Sequence, residues 1–228
     1  MELIYHGKTK DIYQNDENSI VLKFKDDLTG SDGEFDPGAN QIGLSIDGMG
    51  QLNLKLTSYF FDLLNKAGIP THFIESNVSE NAMTVKKAEV FGQGIEVITR
   101  FKATGSFIRR YGAYIEDGST LKDYFEITLK DDDREDPLIT KAGILALNIM
   151  SENQYQTLVE LNHNIAYIIK EELEKYDLDL YDIKLEFGYI KDSNDIILID
   201  EISGGNMRVY KENHILGPVE LAQIFVSI

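Results

Sequence analysis

Polar and apolar residues alternate strictly in the stretch that leads to Gly188. Alternation of period two is typical of a β-strand, and it places Asp182, Lys184 and Glu186 on one face, with apolar side chains packing inward on the other. A second apolar run ends at Asp200, and the turn-rich residues in between suit a hairpin. A three-residue loop centred on Asn194 would bring Glu186 and Asp200 onto the same face, in diagonal reach.

Similar patterns predict further strands and several helices along the chain. The strands are expected at residues 3–5, 11–13, 20–24, 71–74, 82–87, 95–100 and 124–129. The helices are expected at about 51–66 (ended by Gly68), at 106–111 (closed by Gly112), from a capping box at Ser151 to about 175, and in a short final segment with Pro218 in its first turn. Residues 26–48, rich in glycine, are interpreted as a long irregular loop. Mixed strands with few crossover helices favour an α+β fold with antiparallel sheets.

Composition narrows the class of protein. The 228 residues carry a formal charge of −17, from 39 acidic and 22 basic residues, which disfavours a general nucleic-acid binder. The absence of cysteine excludes thiol catalysis and thiolate metal sites. No signal peptide and no run of about 18 apolar residues is visible, so a cytoplasmic protein without a membrane segment is expected.

Against this acidic background, the places where lysines gather are informative. Gly7 lets the backbone approach an anion closely, and Lys8 and Lys10 project from the same tight turn, so this turn is a candidate phosphate cradle. Lys23, on a neighbouring strand, would reach a nucleotide phosphate or be solvated. Lysines on surface hairpins are commonplace, and that alternative stays open here.

A second candidate anion site lies near residue 105. Gly105 and Ser106 begin a short helix, whose free N–H groups and hydroxyl suit a phosphate, and Arg100 would add a two-pronged guanidinium group. The alternative is a capped helix with a surface arginine. For Glu186 and Asp200, two converging carboxylates beside Lys184 suit a hard cation such as Mg²⁺ that carries phosphate oxygens, while a solvated charged face is the alternative.

Taken in order, these pieces closely resemble SAICAR synthetase, the phosphoribosylaminoimidazole-succinocarboxamide synthase family of purine biosynthesis. The resemblance runs in register from residue 3 to about 208. Its segments are Tyr5–Tyr13, Gly68–Phe73, Thr99–Arg100 with Ala103–Ser106, Lys130–Asp132 with Asp136–Ile139, Asp182–Gly188 and Leu198–Ser203.

The resemblance implies a kinase/ATP-grasp-like architecture with two lobes. Residues 1–85 would form a β-rich nucleotide-binding lobe, and residues 86–228 an α+β lobe with the metal and ribonucleotide sites. The implied reaction joins the carboxylate of a phosphorylated aminoimidazole ribonucleotide to the amine of L-aspartate, using ATP and Mg²⁺. A homodimer is also possible on this basis.

The resemblance also assigns residue roles. Lys8 and Lys10 would contact ATP phosphates, and Glu186 and Asp200 would hold Mg²⁺. The remaining roles are as follows: Arg100, Ser106 and Arg208 grip the ribonucleotide phosphate, Asp182 and Lys184 lie near its imidazole and carboxylate, and Asp32 lies in a mobile loop near the reacting groups. No nucleophilic side chain is needed, because ATP converts the carboxylate to an acyl phosphate that the amine attacks.

Departures from the family pattern follow Ser203. Gly204 and Gly205 replace a Pro-Asp pair, which predicts a more flexible backbone, Lys211 replaces an acid, and the C-terminal segment is short. These changes bear on amine selection. They leave two alternatives to an authentic SAICAR synthetase: a paralogous ATP-dependent amide ligase that uses another amine or heterocyclic carboxylate, and a catalytically silent nucleotide-binding module.

Overall fold

The structure is a computed structural model that describes residues 1–31, 33–36 and 41–226. The strands in this part of the chain are β1 (Glu2–His6), β2 (Lys10–Gln14), β3 (Ser19–Phe24), β4 (Asp27–Ser31), β5 (Glu34–Phe35), β6 (Ile42–Ser45), β7 (Phe73–Asn77), β8 (Ala82–Lys86), β9 (Glu89–Val90), β10 (Ile95–Lys102), β11 (Thr120–Leu129), β12 (Leu138–Ile139), β13 (Asp179–Tyr189), β14 (Ile196–Ile199), β15 (Met207–Lys211) and β16 (His214–Ile215). The helices are α1 (Met49–Lys66), α2 (Ser106–Tyr111), α3 (Lys141–Ala146), α4 (Glu152–Glu174) and α5 (Pro218–Val226). None of these helices is long and apolar enough to cross a membrane.

The chain divides into two compact units. The first comprises Met1–Ala88, Glu201–Asn206 and the C-terminal residues from Leu216 onward. The second comprises Glu89–Asp200 and Met207–Ile215. The chain therefore leaves the first unit after Ala88 and returns to it twice.

The first unit is built on a five-stranded antiparallel sheet of order β1-β2-β3-β8-β7. Helix α1 packs against β3, β7 and α5. Its stripe of buried residues includes Leu56, Phe60 and Leu64, as the periodicity predicted. Phe225 of α5 lies 5.0 Å from the ring of Tyr59 and 5.3 Å from that of Phe60. The short C-terminal helix is thus part of the core of this unit.

The described residues of 26–48 do not form an irregular loop, and this expectation was wrong. They contain β4, β5 and β6, which form a small antiparallel sheet of order β5-β4-β6. Leu28 is 1% exposed and pairs in register with Leu44, so one apolar cross-strand pair anchors strands otherwise rich in glycine and polar residues. The turn signals of the glycines concealed these short strands. Asp32, one of the candidate catalytic residues, lies outside the described residues.

The second unit is built on an eight-stranded sheet. Its path is β12-β11-β10-β13-β15-β16, and β14 and β9 also pair with β13; all of these pairings are antiparallel. Helix α4 begins with the predicted capping box of Ser151 and Gln154, and it packs against β10, β13 and β14. Asn162 of α4 donates a hydrogen bond of 2.6 Å to Thr99 Oγ1, so Thr99 faces the helix.

Because Thr99 pairs in register with Ile183, the odd-numbered residues of β13 face α4. Asp182, Lys184 and Glu186 therefore lie on the opposite face, as the alternation predicted. The hairpin loop differs from the expected one. Tyr189 and Ile196 are the last paired residues, so the loop spans 190–195 instead of three residues, and Glu186 pairs with Ile199.

Candidate active site

Arg100 lies at the centre of the polar face of the sheet in the second unit, and its side chain is only 3% exposed. Each of its five guanidinium N–H groups has an acceptor. Nε donates to Glu126 Oε1 (3.0 Å), Nη1 to Thr104 O (3.4 Å) and to Asp182, and Nη2 to Ser106 Oγ (2.8 Å) and Glu126 Oε1 (2.7 Å). A buried guanidinium group with a full set of acceptors is rigidly held, so Arg100 fixes the groups around it.

Asp182 connects two arginines across the sheet. It pairs in register with Arg100 on β10 and with Arg208 on β15, and its carboxylate accepts hydrogen bonds from both; the one from Arg208 Nη1 is 2.8 Å long. Burial raises the pKa of the Asp182 carboxyl, and the adjacent Arg208 and Arg100 guanidinium groups oppose that rise. The three side chains form an alternating row of charges, each held by its neighbour.

Arg208 lies against the backbone of Gly105, where no side chain would fit. A Cβ atom at Gly105 would be 2.7 Å from Cζ of Arg208, and Gly105 has φ +55°, in the left-handed region that favours glycine. Ser106 follows directly and accepts a hydrogen bond from Arg100. Its hydroxyl hydrogen is therefore available to another acceptor, beside the Arg208 guanidinium group.

Two residues of this cluster, Glu126 and Arg110, were not predicted as site residues from the sequence. Glu126 has a side chain 4% exposed and accepts hydrogen bonds from both Arg100 and Arg110, the latter at 2.7 and 2.6 Å. Arg110 lies on α2, and its guanidinium group contacts Glu126 on β11. In the part of the chain that the structure describes, three arginines, Arg100, Arg110 and Arg208, thus meet at two carboxylates, Glu126 and Asp182. Guanidinium groups gathered in this way suit an anion such as a phosphate.

A second cluster on the same face brings acidic groups together. Asp200 directly follows β14 and has φ +66°, which breaks the strand alternation and explains how it approaches Glu186 despite the altered register. Burial and the Asp200 charge both raise the pKa of Glu186, and Lys130 opposes them. Lys130 Nζ lies 2.7 Å from Glu186 Oε1. From the sequence, Lys130 was identified only as part of the segment Lys130–Asp132, without a role.

Lys184 is paired with Glu96. The distance from Lys184 Nζ to Glu96 Oε1 is 2.7 Å, and Thr128 Oγ1 donates to the other carboxylate oxygen at 3.1 Å. These contacts hold the lysine between the arginine cluster and the Glu186–Asp200 pair along β13. Glu96 was also missed, because it precedes an otherwise apolar run on β10.

The Glu186–Asp200 pair is the best candidate for a metal site. The described residues contain no group of three or more His, Cys, Asp or Glu side chains that could hold a metal ion by themselves. Mg²⁺ does not require one, since it is commonly bound by one or two carboxylates together with phosphate oxygens and water. Two like-charged, half-buried carboxylates, whose repulsion a cation would relieve, fit this chemistry.

Two of the candidate phosphate-binding lysines of the first unit, Lys10 and Lys23, lie on opposite faces of its sheet. Gly7 N donates to Lys10 O at 3.0 Å, and a Cβ at Gly7 would lie 2.4 Å from that oxygen, so the tight turn requires glycine. Lys8, on this turn, is exposed, and Lys10 Nζ lies 5.5 Å from the ring centroid of Phe24. Lys23 lies on the opposite face, over Tyr13 at 5.8 Å. The structure thus brings Lys8 and Lys10 together and separates Lys23 from them.

The acid that holds Lys10 was not predicted. Lys10 Nζ lies 2.8 Å from Glu201 Oε1, and both side chains are 10% exposed. Glu201 belongs to the first unit although its neighbour Asp200 belongs to the second. Glu201 lies 191 positions from Lys10 along the chain, so no local pattern could have linked the two.

Comparison with known proteins settles the family. The family model for SAICAR synthetase matches residues 3–220. The chain belongs to the SAICAR synthetase family. It is 50% identical over 227 residues to the phosphoribosylaminoimidazole-succinocarboxamide synthase of Clostridium tetani, covering 100% of both chains. It is 36% identical over 215 residues to that of Finegoldia magna, covering 93% of this chain and 87% of the relative. Membership makes the protein a ligase of the SAICAR synthetase type.

Solved structures of SAICAR synthetases share the fold. The enzyme from Ehrlichia chaffeensis superposes with a TM-score of 0.85 at 29% identity, covering 98% of this chain and 92% of that one. A SAICAR synthetase in complex with ADP gives a TM-score of 0.83 at 30% identity, covering 92% and 86%. The predicted α+β class with antiparallel sheets, of the ATP-grasp-like kind, is confirmed.

Proposed function

We propose that the protein joins the carboxylate of carboxyaminoimidazole ribonucleotide to the amine of L-aspartate in purine biosynthesis, with ATP as the activating substrate. The observation that carries this proposal is the polar face of the second unit. There, the arginine cluster around Asp182 and the pair of repelling carboxylates at Glu186 lie along one strand. The first group suits a phosphate monoester and the second a nucleotide-bound cation.

Ser106 and Arg208 would bind the ribonucleotide phosphate directly, and Arg100 would support them. All five Arg100 N–H groups already have protein acceptors, so a phosphate would have to displace one of them to be bound by Arg100. Arg208 lies against the backbone of Gly105, and Ser106 follows that glycine directly, which supports a direct role for these two groups. Asp182 and Lys184, next along β13, would then face the imidazole and the carboxylate of this substrate.

Lys8 and Lys10 would contact the phosphates of ATP, and Glu186 and Asp200 would hold Mg²⁺. The metal would neutralise charge on the transferred phosphoryl group. The ligand of a solved relative, which is in complex with ADP, supports a nucleotide site in this fold. Lys23 is not included in this site, because it lies on the other face of the sheet from Lys10.

The residues present suit a two-step acyl transfer. The substrate carboxylate attacks the γ-phosphorus of ATP, the bond from that phosphorus to the bridging oxygen breaks, and ADP leaves. The aspartate amine then attacks the acyl carbon, loses a proton, and expels phosphate. Fixed positive groups stabilise both steps by positioning and charge neutralisation, without a protein nucleophile.

A paralogous amide ligase is less well supported. The phosphoribosylaminoimidazole-succinocarboxamide synthase of Clostridium tetani is 50% identical to this chain and aligns over 100% of both chains. Among the described residues, the clusters of both units retain charged side chains that a silent module would not need.

One assay tests the proposal. Phosphate release is measured with ATP, Mg²⁺ and carboxyaminoimidazole ribonucleotide, with aspartate, glutamate, asparagine or glycine as the amine. We expect release that depends on the ribonucleotide and on aspartate, with formation of the succinocarboxamide product. Equal use of neutral amines would support the paralogous ligase instead, and no release with any amine would refute the proposal.

A further inference from the structure

We propose that Glu201 is a positioning residue for Lys10, and that it sets the affinity of the protein for the nucleotide through this lysine alone. The inference rests on the proposed function only in taking Lys10 as a phosphate contact. It assigns a role to a residue that neither the sequence patterns nor the proposed mechanism used.

The ion pair is short and sheltered. Lys10 Nζ and Glu201 Oε1 are 2.8 Å apart, and each side chain is 10% exposed. The ammonium group lies above the ring of Phe24 and within 3.4 Å of Thr9 Oγ1. Solvent screens a largely buried ion pair weakly, so the attraction between the two charged groups is strong enough to hold them in one geometry.

The glutamate is held by a rigid turn. Asn206 Nδ2 donates to Glu201 O at 2.6 Å, and Asn206 Oδ1 accepts from Ser203 N at 2.9 Å. Thr57 Oγ1 of α1 donates to Ile202 O at 3.2 Å, and both Thr57 and Ile202 are fully buried. The backbone that carries the Glu201 side chain is therefore anchored to the helix of the same unit before any ligand binds.

The lysine needs such an anchor. A lysine side chain has four flexible torsions, and ordering it on ligand binding costs rotamer entropy. A fixed carboxylate beside Lys10 removes much of that freedom in advance. The competing view is a purely structural ion pair. Because buried ion pairs often add little net stability, the two views differ in what they predict for nucleotide binding.

A double-mutant cycle separates these views. Binding of ADP with Mg²⁺ is measured by calorimetry for the wild-type protein, Glu201→Gln, Lys10→Met and the double variant, together with thermal unfolding without nucleotide. We expect Glu201→Gln to weaken ADP binding about five- to tenfold in the wild-type background and to have no further effect when Lys10 is already Met. Glu75→Gln, an exposed acid on β7 of the same sheet, is the matched charge control and should bind ADP as the wild type does.

Several outcomes would overturn the inference. Unchanged or tighter ADP binding in Glu201→Gln would mean that the acid is structural or only offsets the lysine charge, and an equal effect in both backgrounds would mean that it acts independently of Lys10. If Glu201→Gln does not fold, Glu201→Asp, which keeps the charge one methylene further back, enters the same cycle. Normal ADP binding in Lys10→Met would refute the nucleotide role of Lys10 itself, while loss of product formation with intact ADP binding would count against the proposed reaction only.

Discussion

Gly105 and Arg208 are in contact because position 105 has no side chain. A Cβ atom there would lie 2.7 Å from Cζ and 2.8 and 2.9 Å from the two terminal nitrogens of Arg208. The guanidinium plane is therefore pressed against the backbone that leads into Ser106. The position of a candidate substrate-binding group thus depends on the absence of a side chain at position 105.

Substitution Gly105→Ala should displace Arg208 and weaken binding of the ribonucleotide. Losing a charge-assisted contact to phosphate costs about 2 kcal/mol, so the KM for the ribonucleotide should rise by at least about tenfold. The KM for ATP should stay within about twofold, because no ATP contact is altered. Steady-state kinetics with each substrate varied in turn measure both constants.

Gly118→Ala is the matched control for this prediction. Gly118 also has a positive φ, +77°, but a Cβ there would meet no atom within 4 Å. Both substitutions place a side chain at a positive φ, which is unfavourable for a residue other than glycine, and only the first one also has the clash. Equal increases in the ribonucleotide KM of the two variants would show that strain, and not Arg208, is responsible.

Replacing Glu186 by Gln should abolish the effect of Mg²⁺ with little loss of stability. The variant keeps the size of the side chain and removes a charge that burial and Asp200 make unfavourable. We expect turnover to fall about 100-fold or more, because charge neutralisation at the phosphoryl group is lost. Phosphate release across a Mg²⁺ titration and thermal unfolding measure the two effects. Near-normal turnover at saturating Mg²⁺ would remove Glu186 from the metal site.

Glu126→Gln should both destabilise the second unit and weaken ribonucleotide binding. It removes the charge from a buried carboxylate that two arginines share, and an uncompensated buried guanidinium group costs about 3–5 kcal/mol. Urea unfolding measures the loss. Lys170→Met is a control, since its pairing with Glu174 on α4 is local and exposed and its removal should cost less than about 0.5 kcal/mol. A stable Glu126→Gln protein with an unchanged ribonucleotide KM would contradict this account of the cluster.

Local patterns predicted the elements and the faces of the sheet well. Period two placed Asp182, Lys184 and Glu186 on one face, and the capping box at Ser151 located the start of α4, because both signals are carried by neighbouring residues. The same reasoning failed for β4 to β6, where short strands rich in glycine resemble turns. It also misjudged the register of the β13–β14 hairpin, because loop length decides register and the residues of that loop allow several lengths.

The partners of the candidate residues could not be predicted in this way. Arg100 and Glu126 are 26 positions apart, and Lys10 and Glu201 are 191 positions apart. The first contact depends on the order of the strands in the sheet, and the second on the return of the chain to the first unit at Glu201. The family resemblance identified residues by motif but carried no information on which acids hold them. Only the structure identified the acids that pair with these residues.

Gly204→Ala should destabilise the first unit. The sequence suggested that Gly204 serves flexibility, but it is buried, and a Cβ there would lie 2.8 Å from Cα and 2.9 Å from Cβ of Pro218. Overpacking of this kind costs about 1–3 kcal/mol, and here part of the clash is with backbone, which cannot rotate away. Thermal unfolding should show the loss. Gly217→Ala, whose nearest neighbour is the flexible Glu220 side chain at 3.4 Å, should be nearly neutral. Equal stability of the two variants would restore the flexibility interpretation.

Lys211→Asp should leave the choice of amine unchanged. A lysine that faced the substrates would strengthen attraction for an anionic amine, whereas one that faced water would not. Lys211 is exposed at the end of β15, in register with His214 of β16, and exposed charges act weakly on distant groups because solvent and salt screen them. We therefore expect the ratio of kcat/KM values for aspartate and asparagine to change by less than about twofold in this variant. A preference for aspartate that is lost in Lys211→Asp would show instead that this side chain recognises the amine substrate directly. The aspartate site would then lie at the end of β15.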